Sequence, residues 1–345
     1  MTSTRPGSQG FASDWSGLGI VLGSALLIGF APIFTKLAMA AGTGPVAAAG
    51  WRLVFALVAI GPLLAIARQR EGAHGLAPHG TASPGTATAR PLGARPWALV
   101  LPGLVFSGDL ISWHQAFELT TAANATVLGN VAVLFVAAVG YWVLGERFGW
   151  RLPAGAAIAL LGVAVLIGVS FSSGPSGAFP NKGWGDLLSL VTAAFYAGYI
   201  LSVKWLRAHH GALAIVAASS AVGALVCFPV AAAWGERLVP AQPAGWAYLA
   251  GLGILSHALG QGLIALSLRR LPASLVSVLL LTQPLHVAWL GALLLGERLA
   301  LSDLLSMALV LVGVGLAITA RRGPAAIQGE SGRTEGSARS EVSGA

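Results

Sequence analysis

The sequence predicts an all-α integral membrane protein of ten transmembrane helices in two inverted five-helix repeats, with N- and C-termini cytoplasmic. Three observations lead there: a composition with no polar coat, a one-sided placement of basic residues, and an internal repeat. Of 345 residues, 56% are hydrophobic and only 9% are charged. A soluble domain carries about a quarter charged residues, so the natural solvent of this chain is the lipid bilayer.

Ten apolar runs follow one another at 17–40, 44–67, 97–117, 121–144, 152–171, 183–203, 212–234, 246–267, 272–295 and 301–320. Each is long enough to cross a hydrocarbon core, which takes about 20 residues as a helix. Helix is the expected form, because lipid cannot satisfy an open sheet edge. The first run is too long for a signal-peptide core and reads as a retained span. A polar N-tail, 1–16, precedes it. The loop 68–96 and the C-tail 323–345 lack periodic apolar residues, so both are expected to be solvated cytoplasmic segments.

The basic residues sort by side. With the N-terminus inside, the cytoplasmic set is Arg5, the four arginines of 68–96, Arg147, Arg151, Lys204, Arg207, Arg269, Arg270 and the four arginines after 320, 15 in all. The other side holds three, Lys182, Arg237 and Arg298. This bias follows the positive-inside rule and supports both the span count and the orientation.

The chain also repeats itself. VGYWVLGER at 139–147 matches LGALLLGER at 290–298, and each is followed by a similar apolar span. Gly17 to Lys36 and Gly185 to Lys204 have equal spacing. The units are therefore 17–171, spans one to five, and 183–322, spans six to ten. Because five is odd, the second unit runs the opposite way through the membrane. Inverted repeats of this kind commonly serve alternating access in secondary transporters.

The net charge of +8 is spread between apolar runs rather than gathered into a basic block, so no nucleic-acid partner is expected. Cys227 is the one cysteine, which excludes an intramolecular disulfide and a cysteine-based zinc or iron–sulfur site. No GxxxxGK[ST] loop occurs. No cofactor is expected, and a gradient is a better energy source than ATP.

The stretches WHQAFELTTAANATVLGN (113–130), GER at 145–147 and 296–298, and GQGLIALSLRRLPASLVSVLLLTQP (260–284) resemble the EamA-type transporters of the drug/metabolite transporter superfamily. The resemblance covers about 17–322. It implies ten helices in two EamA repeats, a bacterial inner-membrane location, and movement of small metabolites, often outward. Such proteins often carry Pro three residues after the position of Asn130, where this chain has Val133. The second repeat keeps its proline, Pro284. A kink is thus expected in span nine, while span four lacks that signal and its kink is left open.

Polar groups inside spans are costly and usually face a bundle interior or a watery cavity. Asp109, Trp113 and His114 lie in span three, Asn130 in span four, His257 and Gln261 in span eight, and Gln283 and His286 in span nine. These are the third and fourth spans of each unit, where a central substrate cavity is expected. Histidine titrates near pH 6.5, so these side chains are also candidates to carry a coupling proton. Lys36 and Arg52 flank the first hairpin at similar depth, and two cations there need an anion: Asp109, Glu118 or an anionic substrate group. Lys36 also has the simpler option of snorkelling to the interface. Nothing in the spacing supports a metal site. Gly19 and Gly23 form a small-xxx-small step expected to let helices approach.

The expected function is secondary transport of a small metabolite, amino-acid-like or drug-like and outward in sense, by a monomer or homodimer. The alternative is an intramembrane enzyme acting on a lipid intermediate. The scattered carboxylates, with Asp109 almost alone in the core, weigh against the enzyme.

Overall fold

The computed structural model describes residues 15–73, 95–142, 150–172, 180–269, 271, 273, 276, 279–297 and 299–318. Among these residues the chain is helical throughout, joined by short turns. The N-tail, most of the loop 68–96, the first GER motif and the C-tail lie outside the described residues. Six helical stretches are long and apolar enough to cross a membrane: Gly19–Ala40, Pro45–Ile66, Pro96–Leu119, Lys182–Leu206, Ala212–Ala233 and Ala244–Ser267. Shorter apolar helices cover Ala122–Val136, His286–Leu295 and Leu301–Gly313. Large apolar side chains stand out from the bundle all round it, among them Leu104, Leu161, Leu225, Trp289 and Leu305. In water such a coat would be a liability. Around a multi-pass membrane protein it is the lipid-facing surface.

Several helices are broken, and each break has a local cause. The first run divides into α1 (Trp15–Gly29) and α2 (Ala31–Ala40). Pro32 has no N–H to continue the ladder, and Phe30 N–H tightens onto Leu27 O instead. Helix α2 ends in a Schellman turn: Gly42, at φ 87°, donates to Met39 O, and Thr43 N–H reaches Ala38 O. A side chain at Gly42 would be strained by φ and would also lie against Ala241.

After α3 (Pro45–Ala73) and a short 3₁₀ turn comes α4 (Val100–Leu119). The fourth run is then split into α5 (Ala122–Gly129) and α6 (Ala132–Trp142). Span four, whose kink was left open, thus breaks without the proline. The chain here tightens into i→i+3 bonds, Val131 N–H to Leu128 O and Leu134 N–H to Val131 O. Asn130 supports the break by donating its side-chain amide to Thr126 O at 2.8 Å. In span nine a 3₁₀ turn, Leu280–Thr282, precedes the helix that Pro284 opens, in keeping with the expected kink.

The fifth run is α7 (Arg151–Ser172), and the second half opens with α8 (Lys182–Leu206) and α9 (Ala212–Ala233). The eighth run is α10 (Ala244–Gly251), a π-helical segment Leu252–Gln261, and α11 (Gly262–Ser267). A π segment this long is unusual, and such segments gather at functional sites. Ser24 of α1 donates to its Gly260 carbonyl at 2.8 Å. Helices α12 (Gln283–Leu295) and α13 (Leu301–Ile318) complete the bundle.

Helix contact rests on small residues, but not on the expected pair. A Cβ at Gly19 or Gly23 would meet nothing within 4 Å. The close approaches are elsewhere. At Gly313 of α13 a Cβ would run into Ala159 N of α7, and at Gly162 of α7 it would lie 2.8 Å from Val310 N. The backbones of α7 and α13 are in direct contact there. At Gly253 a Cβ would run into the Arg52 carbonyl and Phe55 of α3, so glycine seats the π segment directly on the helix that carries Arg52.

Candidate functional site

A cavity of about 420 Å³, including the space at its mouth, opens in the middle of the bundle. Its wall includes Ile28, Arg52, Phe106, Asp109, Trp113, Thr126, Asn130, Thr192, Tyr196, Gln261 and Gln283. These come from α1, α3, α4, α5, α8, the π segment and α12, so both halves of the chain contribute.

The wall is apolar with a few polar groups, and several of those are unsatisfied. Arg52 Nε and Nη1, Thr192 Oγ1, Gln261 Oε1 and Gln283 Nε2 are buried without a hydrogen-bond partner. The Tyr196 hydroxyl is aimed at Gln261 without closing a hydrogen bond to it. Burying such atoms unpaired costs about 1–3 kcal/mol each. A cavity whose contents supply the missing partners removes that cost.

Arg52 is 1% exposed. Its guanidinium sits over the Phe106 ring at 5.9 Å and the Trp113 ring at 5.7 Å. Asp109 is the carboxylate whose field acts on it, yet the two do not approach within the 4.0 Å of an ion pair. Arg52 also lies on the face of α3 that Gly253 lets the π segment approach.

Of the side chains expected at a cavity, Arg52, Asp109, Trp113, Asn130, Gln261 and Gln283 line it, whereas His114, His257, His286 and Lys36 do not. His114 is fully buried behind the wall. Its Nδ1–H donates to Leu110 O at 2.8 Å, which leaves Nε2 to accept from Thr35 Oγ1 at 3.4 Å. His257 Nε2 and Ser220 Oγ are 3.0 Å apart, and Ser220 gives its own proton to Val216 O at 2.7 Å. The ring is therefore the donor in that pair, and the arrangement is the reverse of a serine activated by a base. His286 is half-buried beside Gly29. Among the described residues no three His, Cys, Asp or Glu side chains meet as metal ligands.

Lys36 neither snorkels nor pairs with Asp109 or Glu118. It forms an ion pair with Glu297 at 3.0 Å and also donates to Thr120 O at 3.0 Å. Glu297 in turn accepts from Ala122 N–H at 2.9 and 3.0 Å, capping α5 from the other half of the chain. Gly296, at φ 65°, provides the left-handed turn that swings Glu297 back into position.

Further ties lie at the same end of the bundle. Glu236 accepts from Ala47 N–H at 2.9 Å, at the start of α3, and from Gln115 Nε2 at 3.0 Å. Burial pushes the Glu236 carboxyl up, against the hydrogen bonds from Val46 and Ala47 that favour its charged form. Thr120 Oγ1 donates to Asp186 at 2.6 Å, and Trp51 Nε1 donates to Leu238 O at 2.7 Å. Each of these bonds joins the first half of the chain to the second. Sequence reasoning missed Glu297, Glu236 and Asp186 as a group. The repeated GER motif was the one available signal for Glu297.

The model of the EamA-like transporter family matches residues 15–168 and 183–319. The chain belongs to the EamA-like transporter family. As such it is a multi-pass membrane protein of a transporter family. Two curated relatives are the pseudopaline exporters CntI of Pseudomonas aeruginosa strains UCBPP-PA14 and PAO1, each 27% identical over 180 residues. The match takes in 52% of this EamA-like chain and spans 60% of the exporters' length. A solved crystal structure superposes with a TM-score of 0.59 at 18% identity, over 89% of this chain and 99% of that one. That likeness concerns the fold alone.

Proposed function

We propose that this EamA-like transporter moves a small amino-acid-like or drug-like metabolite outward across the bacterial inner membrane by alternating access. In this reading it has ten spans in two inverted repeats, 17–171 and 183–322, with both termini cytoplasmic. The one-sided arginines support the topology. The observation that carries the function is the mid-bundle cavity, lined from both halves and holding buried polar atoms without partners. The pseudopaline exporters supply the outward sense by analogy.

The ties at Lys36–Glu297, Glu236–Ala47 and Thr120–Asp186 lie at the end that the charge pattern assigns to the outside. They hold the two halves together there, as an outward-closed form requires. Rocking of one repeat against the other would have to break them. The energy source is a gradient, and a coupling proton or ion is tested directly by varying it.

The experiment is transport by the purified full chain in proteoliposomes, against a panel of amino-acid-like and drug-like compounds, with and without a pH gradient. Gln283→Ala is expected to weaken affinity for a transported compound by up to about tenfold, the worth of one hydrogen bond of about 0.5–1.5 kcal/mol. Its melting temperature should stay within a few degrees of the parent. His114→Ala should show the opposite pattern, a loss of stability with affinity nearly unchanged, because its ring bonds to Leu110 and Thr35 behind the wall. If Gln283→Ala transports with unchanged affinity, the cavity is not the substrate path.

A further inference from the structure

We infer that an anionic phospholipid binds at the end of the bundle away from the Lys36–Glu297 tie. Its phosphate sits on Arg207 and Arg269, and its acyl chains lie along the outer face of the eighth run.

The carboxylates are segregated. Among the described residues they are Asp109, Glu118, Asp186, Glu236, Glu297 and Asp303. Asp109 lines the mid-bundle cavity, and the other five stand at the end that carries the ties. The opposite end holds Arg207 and Arg269 but no described carboxylate. Neither arginine forms an ion pair among the described residues.

Arg207 is built into this end. It follows α8 directly and is only 8% exposed. Its Nε donates to Ala265 O at 2.8 Å, and its Nη1 donates to His210 O. Both acceptors are neutral carbonyls, so they fix the guanidinium without balancing its charge. Lys204, one turn earlier, donates to Leu268 O at 2.8 Å and Leu271 O at 3.1 Å. Cations therefore gather on the turn that follows α11, and the exposed Arg269 belongs to that same turn. Burial, and then the like charge of Arg269, push the Arg207 guanidinium below the usual arginine range. An anion placed between the two arginines turns that repulsion into attraction. Arginine suits phosphate, whose oxygens accept its paired N–H donors.

The surroundings select a lipid over a free anion. Leu255, Leu259 and Leu266 stand out from the bundle along the run that leads to Arg269. Leu266 precedes Arg269 by three residues, so the two share a helix face. Trp205, 42% exposed, lies in the last turn of α8 beside Arg207. Tryptophan gathers at the depth of the head groups. A basic pocket between helices is where an anionic head group binds, and the leucines below it continue as a surface for acyl chains. A free phosphate gains nothing from them.

The test titrates the purified, delipidated full chain in detergent with phosphatidylglycerol, phosphatidylcholine or inorganic phosphate. Native mass spectrometry counts bound lipid, and melting temperature is followed in all three arms. Phosphatidylglycerol should bind at least about fivefold more tightly than phosphatidylcholine, the worth of about one basic residue at an anionic surface. Inorganic phosphate at the same concentration should leave the melting temperature unchanged. Arg269→Gln should remove most of the preference. The Arg269 side chain makes no hydrogen bond among the described residues, so this variant should melt with the parent when no lipid is added. Arg237→Gln, exposed at the opposite end, should keep the preference. Equal binding of the two lipids by the parent, or full preference in Arg269→Gln, would overturn the inference. So would inorganic phosphate that stabilises as much as phosphatidylglycerol, since the site would then take a free anion.

Discussion

Glu297→Ala is expected to destabilise the protein by about 3 kcal/mol, the lower end of the roughly 3–5 kcal/mol for breaking a buried ion pair. The lower end applies because the side chains of Lys36 and Glu297 keep 12% and 6% exposure. Two losses combine. Lys36 keeps its bond to Thr120 O in a nearly buried position but loses its counter-charge, and the first N–H of α5 loses its cap. Because this pair joins the two halves, the same variant should also let the outer end open more readily. The double variant Lys36→Met, Glu297→Met removes both charges and should recover much of the stability, since apolar replacement of a buried pair is often neutral. Thermal unfolding in detergent reads both effects. A single variant that melts with the parent would show that the pair is not a closure.

Gly313→Leu should have an effect at least as large. A Cβ at Gly313 would run into Ala159 N and lie 2.7 Å from Gly155 O, both backbone atoms that cannot rotate away. Overpacking ordinarily costs about 1–3 kcal/mol. Here the α7–α13 pair must separate along its length, so the cost should reach or exceed the top of that range. Even Gly313→Ala introduces the offending atom. Gly19→Ala is the control: its Cβ meets nothing, and alanine favours helix over glycine by about 1 kcal/mol. Folded yield and melting temperature should fall steeply for the first and hold for the second. Equal behaviour of the two would mean that α7 and α13 do not pack through Gly313.

How far the sequence could be read follows from what lipid does to a pattern. Apolar runs locate helices well, because lipid demands them, and the described residues of those runs are helical, six stretches being long and apolar enough to cross a membrane. They say little about which face is buried, since a lipid-facing side is as apolar as a protein-facing one. That is why Gly19 and Gly23 looked like contact residues while Gly162 and Gly313 went unremarked. Polar residues are legible for the opposite reason, their cost in the membrane. Arg52, Asp109, Asn130, Gln261 and Gln283 stood out and share one cavity wall. The histidines stood out equally, yet His114 and His257 bond to Leu110 O and Ser220 away from that wall. Polarity alone cannot tell a side chain on the cavity wall from one behind it.

The helix breaks were hidden for a further reason. Proline signals a break, as Pro32 does, but Asn130 makes one through a side-chain bond to Thr126 O that has no signature in spacing. The π segment at Leu252–Gln261 likewise has no sequence mark, although it carries Gln261 into the cavity. Glu297 was visible only as the middle of a repeated motif, and its partner Lys36 lies far away in sequence.

The central claim is that the cavity lies on the transport path and is closed from the outside by the ties between the halves. Thr192 lines that cavity, and its hydroxyl has no partner, so Thr192→Cys removes no bond. Cys227 is the sole native cysteine, and replacing it with alanine leaves the new thiol alone. In oriented membrane vesicles, a membrane-impermeant thiol reagent should label this cysteine from the cytoplasmic side and not from the outside. A transported compound should slow that labelling. Labelling from neither side, or labelling at the same rate with the transported compound present, would contradict the account.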